Sequence, residues 1–302
     1  MKSKKALLII CISCILLITG CGDKGEVIDK PIKQLTYSNL TDRASQNELT
    51  TALIDANIPK KYVDNFIANV VSFQKTVGKE RLTKGGYETI DGLEPTYDEV
   101  SMIDSWKLLQ PDVQDVNCRL TAFELLQDEI VVKKSYTGES FELFMDADSF
   151  ENSPQCSINS SDWPDFSALF GSIPTENTKD IQKHLAVLQK SWKEREISFK
   201  DNDKISLVSV VFHAAEDKIL FIGHCGVLIR KDDEFLFVEK VSFQMPYQVD
   251  KFKSKQELND YLMHKYDVSY NQPSAKPFII ENDQLIEGYR SNPDNPADRT
   301  TE

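Results

Sequence analysis

Three apolar runs in the C-terminal half of the chain constrain its fold more than any other feature. They cover Ile205 to His213, Ile219 to Ile229 and Phe235 to Phe243, and only short charged turns separate them. Runs of this length that are rich in β-branched and aromatic residues and joined by short turns are typical of an antiparallel meander. We therefore predict a three-stranded antiparallel sheet, against which the other segments of the chain must pack.

Helical patterns fill most of the sequence before the meander. The predicted helices begin near Ser45, Pro59, Thr96, Asn117, Asn177 and Ser254, where capping residues or an early proline precede apolar stripes. Short strands are expected at residues 130–133 and 141–145, followed by a loop-like region from 146 to 174. These patterns predict an α+β fold, with a helical N-terminal half packed on the antiparallel meander.

The N-terminus resembles a bacterial lipoprotein export signal. Three lysines precede an apolar run from Ala6 to Ile18, and Leu17-Ile18-Thr19-Gly20-Cys21 has the form of a lipobox. The alternatives are an ordinary secretory signal or a short transmembrane helix, but the run is shorter than the roughly 18 residues that span a bilayer. We predict a lipoprotein signal peptide at 1–20, a tether at 21–34, a single α+β domain at 35–289 and a disordered tail at 290–302.

The charge of the mature chain restricts its partners. Removal of residues 1–20 takes away three lysines and leaves 32 basic against 48 acidic residues, a net charge near −16. Such a surface repels the phosphates of nucleic acids and anionic lipid headgroups. We therefore expect no nucleic-acid partner, and we expect a lipid on Cys21 to hold the protein to the outer side of the cell membrane.

Three cysteines remain in the mature chain besides the lipidated one: Cys118, Cys156 and Cys225. Because their number is odd, at least one is a free thiol unless the protein pairs with another chain. Cys225 is interpreted as a core residue or as a disulfide partner of Cys156. No metal site is expected, because His224 and Cys225 are adjacent on a strand and point to opposite faces. The sequence predicts no cofactor.

One of these thiols lies where a helix is predicted to begin. Asn117 is a favourable N-cap residue, which places Cys118 in the first turn beside Arg119. The helix dipole and the arginine both favour the thiolate, the reactive form of cysteine. The competing interpretation is that Cys118 simply fills the core.

A histidine and a carboxylate on the meander complete a candidate site. If the turn pairs Arg230 with Phe235, Glu239 is a diagonal neighbour of His224, with the small Gly226 leaving room between them. A base with an orienting carboxylate is what a nucleophilic thiol requires. The alternatives are a hydrogen-bonded strand histidine and a solvated glutamate. Among the other histidines, His213 is the rival base, whereas His184 and His264 are expected to be exposed on helices.

Two resemblances follow from these residues. The order of a helix-opening cysteine, a strand histidine and a polar residue on the next strand is similar to that of papain-like and NlpC-type cysteine hydrolases. The segments at 37–40, 117–123, 223–228 and 239–248 resemble an uncharacterised bacterial lipoprotein family, catalogued as domain of unknown function 4300, over most of residues 35–270. The first resemblance implies a papain-like arrangement; the second implies a lipoprotein and no established activity.

Two functions therefore remain open for a protein at the cell envelope. In the first, the protein is a cysteine peptidase or amidase in which Cys118 attacks the carbonyl, His224 transfers the proton and Glu239 orients His224. The Cys118 backbone amide, helped by the Asn117 side chain, would bind the oxyanion, and peptidoglycan stem peptides would be the substrate. In the second, the protein is a non-catalytic lipoprotein that binds a cell-wall component or a partner protein.

Overall fold

A computed structural model shows an α+β fold and describes residues 30–134, 140–268, 272–292 and 294–295. The helices are α1 (Arg43–Asp55), α2 (Lys60–Val77), α3 (Glu99–Leu109), α4 (Cys118–Leu126), α5 (Phe144–Asn152), α6 (Trp163–Phe170), α7 (Ile181–Glu194) and α8 (Lys255–Tyr266). The strands are β1 (Gln34–Ser38), β2 (Glu88–Asp91), β3 (Ile130–Val132), β4 (Ile173–Pro174), β5 (Ile197–Phe199), β6 (Ile205–Ala214), β7 (Ile219–Lys231), β8 (Glu234–Lys240), β9 (Tyr247–Phe252), β10 (Phe278–Glu281) and β11 (Gln284–Leu285).

A large antiparallel sheet forms the centre of the fold. Its strands follow the order β11-β10-β6-β7-β8-β9-β1-β2, and β4 pairs with one end of β7. The predicted meander is confirmed as β6, β7 and β8. The predicted hairpin register is confirmed as well, because Arg230 pairs with Phe235 and Val227 with Val238.

Helices cover both faces of this sheet. One face carries a buried cluster that includes residues of α1, α2, α4 and α7, among them Leu53, Phe73, Leu120 and Trp192. The opposite face packs against α8 through Leu258, Tyr261 and Leu262. Each strand of the meander is therefore buried on both faces, which explains why β7 and β8 are almost continuously apolar.

The local sequence explains most helix starts. Ser254 caps α8 by accepting a hydrogen bond from the Glu257 amide, as predicted. Asp42, not Ser45, caps α1, and Asp98, not Thr96, caps α3. Helix α2 follows Pro59 and ends at Gly78, whose φ of 89° lies in the left-handed region that glycine adopts readily.

Two predicted segments differ from the structure. Residues 141–145 do not form a strand; a 3₁₀ turn at Phe141–Leu143 continues into α5. The expected loop from 146 to 174 contains α5 and α6. Burial of Asp146 and Ser149, which gives α5 a polar buried side, hid the helical period from an argument based on apolar residues alone.

The described part of the C-terminal tail is ordered against α8. The tail was expected to be disordered from residue 290, but Asn292 and Asn295 are buried and both bind Asp267, at the end of α8. Arg290 forms an ion pair with Asp260 at 2.5 Å. Polar composition alone predicts disorder here, and buried hydrogen bonds provide the order.

The export signal and most of the tether lie outside the described residues. Within the described part of the chain, no helix is long and apolar enough to cross a bilayer.

Candidate active site

Cys118 opens a helix that is buried along its whole length. Asn117 has an extended backbone, and its Oδ1 accepts the Leu120 amide hydrogen at 3.0 Å, so the predicted N-cap is confirmed. All nine residues of α4 are buried, and Cys118 itself is 6% exposed. The positive end of the helix dipole therefore acts on the Cys118 sulfur with little screening by water.

His224 lies on β7 at an irregularity of the sheet. Val210 pairs with His224 but Val211 pairs with Ile222, so Gly223 is an extra residue that forms a bulge. A Cβ atom on Gly223 would lie 2.7 Å from the Phe212 ring, which leaves space only for glycine. Bulges change the direction of neighbouring side chains and are common beside functional sites. Here the bulge sets the position of the His224 imidazole.

Glu239 on β8 holds the imidazole directly. Its Oε2 lies 2.5 Å from His224 Nε2, and both side chains are almost fully buried. The pairing predicted from the hairpin register is therefore present. Gly226 has a different role from the one predicted, since a Cβ there would lie 2.5 Å from the Phe237 ring; the glycine admits that ring.

The Cys118 thiol interacts with the His224 ring. A hydrogen bond from Cys225 lowers the pKa of Cys118 most, burial opposes it, and the charge and hydrogen bond of His224 lower it further, to well below the ordinary value. Because His224 Nε2 binds Glu239, we assign the contact with sulfur to Nδ1. The site therefore has the arrangement expected of an activated cysteine nucleophile.

The charges of the histidine and the glutamate match this arrangement. Burial lowers the pKa of His224, but Cys118 and Glu239 outweigh it and raise that pKa to about 9. Burial also disfavours the Glu239 carboxylate, yet Lys265, His224 and Tyr261 lower its pKa to about 2. These directions favour the thiolate of Cys118 beside an imidazolium and a carboxylate.

A polar network that the sequence did not reveal supports Glu239. Tyr261 on α8 donates a hydrogen bond to Glu239 Oε1, and Gln248 Nε2 on β9 approaches the same oxygen at 3.4 Å. Tyr97 in turn donates to Gln248 Oε1 at 2.6 Å. Gln248 and Asp250, two polar residues on one face of β9, are the signal that could have indicated this network.

Arg119 fixes the start of α4 against the sheet. Its Nη1 donates to the Ile222 carbonyl oxygen at 2.8 Å, next to the bulge, and its Nη2 lies 2.5 Å from Asp146 Oδ2. The Asn117 Nδ2 donates to Asp146 Oδ1 at 2.7 Å. Arg119 and Asp146 therefore hold Cys118 beside the strand that carries His224.

The structure uses the Asn117 side chain, which was predicted to help bind the oxyanion, as a helix cap. Its oxygen caps the helix and its amide nitrogen donates a hydrogen to Asp146. The backbone amide of Cys118 lies in the first turn of α4, where helix N–H groups have no partner within the helix.

A buried ion pair anchors the loop before α4. Lys240 Nζ lies 2.8 Å from Asp115 Oδ2, and both side chains are almost completely buried. Asp115 also accepts the Gln244 amide hydrogen at 3.2 Å. Burial is the main cause that lowers the pKa of Lys240 and raises that of Asp115. This pair ties the segment leading to Cys118 to the end of the strand that carries Glu239.

Apart from Cys225, the other predicted side chains in the described part of the chain have partners outside this site. Cys225 is buried beside Cys118, whereas Cys156 contacts Glu124 on α4, and all three described cysteines are free. A disulfide between Cys156 and Cys225 is therefore absent. His184 is buried, contrary to the prediction, and its ring packs against that of His213 at a tilt of 41°, with 4.3 Å between ring centroids. Cys21 lies outside the described residues.

No metal centre accompanies the site within the described residues. No group of three or more histidine, cysteine, aspartate or glutamate side chains there is arranged to hold an ion.

The fold and this buried cysteine–histidine–glutamate arrangement define an α+β protein with a candidate thiol nucleophile. A family model described as Domain of unknown function (DUF4300) matches residues 36–286. Since the match covers most of the chain, the protein belongs to this family. No curated protein and no solved structure gives a significant match.

Proposed function

We propose that the protein is a membrane-anchored, extracytoplasmic cysteine hydrolase that cleaves amide or peptide bonds of the cell envelope. The contact of the Cys118 thiol with a His224 ring held by Glu239 carries this proposal. A helix-borne cysteine, a histidine on an antiparallel strand and a carboxylate on the next strand occur here in the order of papain-like hydrolases. Stem peptides of peptidoglycan are the proposed substrate because of the proposed location.

The reaction follows from the positions and charges of the three groups. The Cys118 thiolate attacks the amide carbonyl carbon, and the backbone amide of Cys118 donates a hydrogen bond to the oxyanion. The His224 imidazolium gives its proton to the leaving amine as the carbon–nitrogen bond breaks. Neutral His224 then takes a proton from water, whose hydroxyl group attacks the thioester and releases the acid and Cys118. Glu239 stabilises the imidazolium throughout.

A covalent probe and a substrate test this proposal together. Purified protein is incubated with a stem-peptide analogue that carries a chloromethyl ketone in place of the scissile amide, and its intact mass is measured. We expect one adduct, on Cys118, and no adduct on the matched variant Cys118→Ala; Cys156→Ala should react as the wild type does. With peptidoglycan, the wild type should release new amino groups and Cys118→Ala should not.

The same experiment separates catalysis from a second candidate, a non-catalytic lipoprotein that binds an envelope component. The low exposure of Cys118 and His224, 6% and 2%, favours this candidate. Binding of peptidoglycan without an adduct on Cys118 and without release of amino groups would support it and refute the hydrolase.

The anchor is a separate part of the proposal. We expect wild-type protein to incorporate labelled palmitate and to sediment with membranes, and Cys21→Ala to lose both properties. Cys11→Ala, within the apolar run, is the matched control and should remain labelled. Label on Cys21→Ala would contradict the lipobox.

A further inference from the structure

Cys225 is a thiol next to the candidate site that the proposed reaction does not use. It follows His224 on β7, is completely buried and belongs to the same apolar cluster as Cys118. Regular alternation after the bulge places the Cys225 side chain on the face of β7 that packs against α4, together with Val227 and Ile229. Arg119, next to Cys118, binds the Ile222 carbonyl oxygen at 2.8 Å, which brings the start of α4 to this part of β7. The influence of Cys225 on the pKa of Cys118 agrees with this proximity. The sulfur atoms therefore already face each other across the boundary between helix and sheet.

The surroundings of the two sulfurs differ in a way that suits sequential oxidation. Burial and the neighbouring Cys118 raise the pKa of Cys225, whereas the pKa of Cys118 is lowered. The pair thus consists of a thiolate with slight exposure and a protonated thiol behind it. Reactive cysteines that sense oxidants combine a low pKa with an adjacent resolving thiol.

The third described cysteine does not share this arrangement. Cys156 contacts Glu124, and burial together with that carboxylate raises its pKa to about 12. Cys156 is free and interacts with neither Cys118 nor Cys225 among its main contacts. It therefore serves as an internal control for thiol chemistry in the same chain.

We propose that Cys118 and Cys225 form a reversible disulfide that switches the candidate nucleophile off under oxidising conditions. The loss of hydrolysis in the oxidised form rests on the proposed function. The cross-link itself does not, because it needs only the two facing thiols.

Hydrogen peroxide is the oxidant we assign, because it is small and Cys118 is only 6% exposed. The Cys118 thiolate attacks one peroxide oxygen; the sulfur–oxygen bond forms, the oxygen–oxygen bond breaks, and hydroxide leaves and takes up a proton. The Cys225 sulfur then attacks the Cys118 sulfenic acid, forms the disulfide and releases the second oxygen as water. Peroxide is reduced to two waters and the two thiols are oxidised; a dithiol reverses the cross-link.

Peptide mapping tests the cross-link directly. The reduced full-length protein is treated with hydrogen peroxide, denatured, alkylated with iodoacetamide and digested without reductant. We expect a peptide that joins Cys118 to Cys225, loss of alkylation at both residues, and unchanged alkylation of Cys156. Dithiothreitol should restore alkylation at Cys118 and Cys225. A pair of alkylated thiols after peroxide, or a bond to Cys156 or to a second chain, would overturn the proposal.

Two variants complete the test. Cys225→Ala removes the resolving thiol, so Cys118 should be trapped by dimedone as sulfenic acid and then oxidise to a form that dithiothreitol does not reverse. Cys156→Ala should cross-link as the wild type does. If Cys225→Ala fails to fold, the peptide map of the wild-type protein by itself tests whether Cys118 and Cys225 form the disulfide.

The outcomes also separate this proposal from the hydrolase. If the cross-link forms but no adduct with the substrate analogue is found, the redox proposal is supported and the hydrolase proposal is refuted. If the protein cleaves peptidoglycan but never forms the cross-link, only the redox proposal is refuted.

Discussion

At the scale of single residues, Glu239 decides the charge state of the candidate site. A wholly buried carboxylate is unstable unless other groups compensate for lost hydration. Glu239 has such groups in His224, Tyr261 and Lys265, and its pKa is lowered to about 2. It therefore remains ionised and keeps His224 protonated beside Cys118. Below its unfolded-state pKa of about 4.3, the stability contributed by this carboxylate is progressively lost.

Glu239→Gln tests this control. The variant removes a charge-assisted hydrogen bond, which contributes about 1.5–3 kcal/mol, and one pKa unit corresponds to about 1.4 kcal/mol. We expect the pKa of His224 to fall from about 9 and the half-maximal alkylation of Cys118 by iodoacetamide to move up by about one to two pH units. Glu151→Gln, at an exposed glutamate, is the matched control; equal profiles for both variants would refute the role of Glu239.

The same ionisation predicts the pH range of hydrolysis by the wild type. Because the pKa of His224 is raised, the imidazolium is fully present at neutral pH and is lost as the pH rises through about 9. We expect kcat/KM to decline above that pH, measured as release of amino groups from peptidoglycan. In Glu239→Gln the decline should begin at lower pH.

At the scale of elements, the start of α4 is joined to the sheet by buried polar contacts. Arg119 binds Asp146 and the β7 backbone, and Lys240 on β8 binds Asp115 in the loop before α4. Apolar packing alone allows a helix to slide or rotate on a sheet, whereas directional hydrogen bonds allow one position. These contacts therefore set the distance between Cys118 and His224.

Lys240→Met tests the buried pair. Loss of the lysine leaves the Asp115 carboxylate buried without its cation, which costs about 3–5 kcal/mol. We expect a decrease of that size in the free energy of unfolding in urea. Lys60→Met is the matched control, because the exposed Lys60–Asp64 pair at 2.6 Å contributes at most about 1 kcal/mol. Similar losses in the two variants would contradict a structural role for the buried pair.

At the scale of the whole molecule, a histidine pair links α7, β6 and the segment before β10. His213 Nδ1 accepts the Ala275 amide hydrogen at 2.9 Å, so its proton lies on Nε2. His184 binds the Thr178 carbonyl oxygen at 2.7 Å. A second proton on the His213 ring would lie on Nδ1 and point at the Ala275 amide hydrogen, which is unfavourable. Burial and the neighbouring His184 lower the pKa of His213.

This lowered pKa predicts a loss of stability in weak acid. The contribution is complete above the unfolded-state pKa of about 6.5 and is lost as the pH falls below it. We expect the urea midpoint to decline below that pH and the decline to be smaller in His213→Gln, whose side-chain oxygen can still accept the Ala275 amide hydrogen. His264→Gln, on α8, should decline as the wild type does. A decline unchanged in His213→Gln would assign the effect to other groups.

The sequence by itself determined the parts of this protein that depend on local periodicity and turn chemistry. The meander, its hairpin register and the Asn117 cap follow from apolar alternation, a short turn and a capping side chain, and the structure confirms all three. Helix α5 was missed because its buried side is polar. The contacts of Asn292 and Asn295 with Asp267 have no local signal in the sequence either.

Only the tertiary structure decided which side chains meet. The packing of α4 on β7 places Cys225 beside Cys118, while His224, which follows the bulge at Gly223, contacts both Cys118 and Glu239. A one-residue bulge has no periodic signal, and Asp146, Gln248 and Tyr261 reach the site from elements far apart in the chain. Contacts of this kind depend on how the helices pack on the sheet. Local patterns of apolar and polar residues in the sequence do not show that packing.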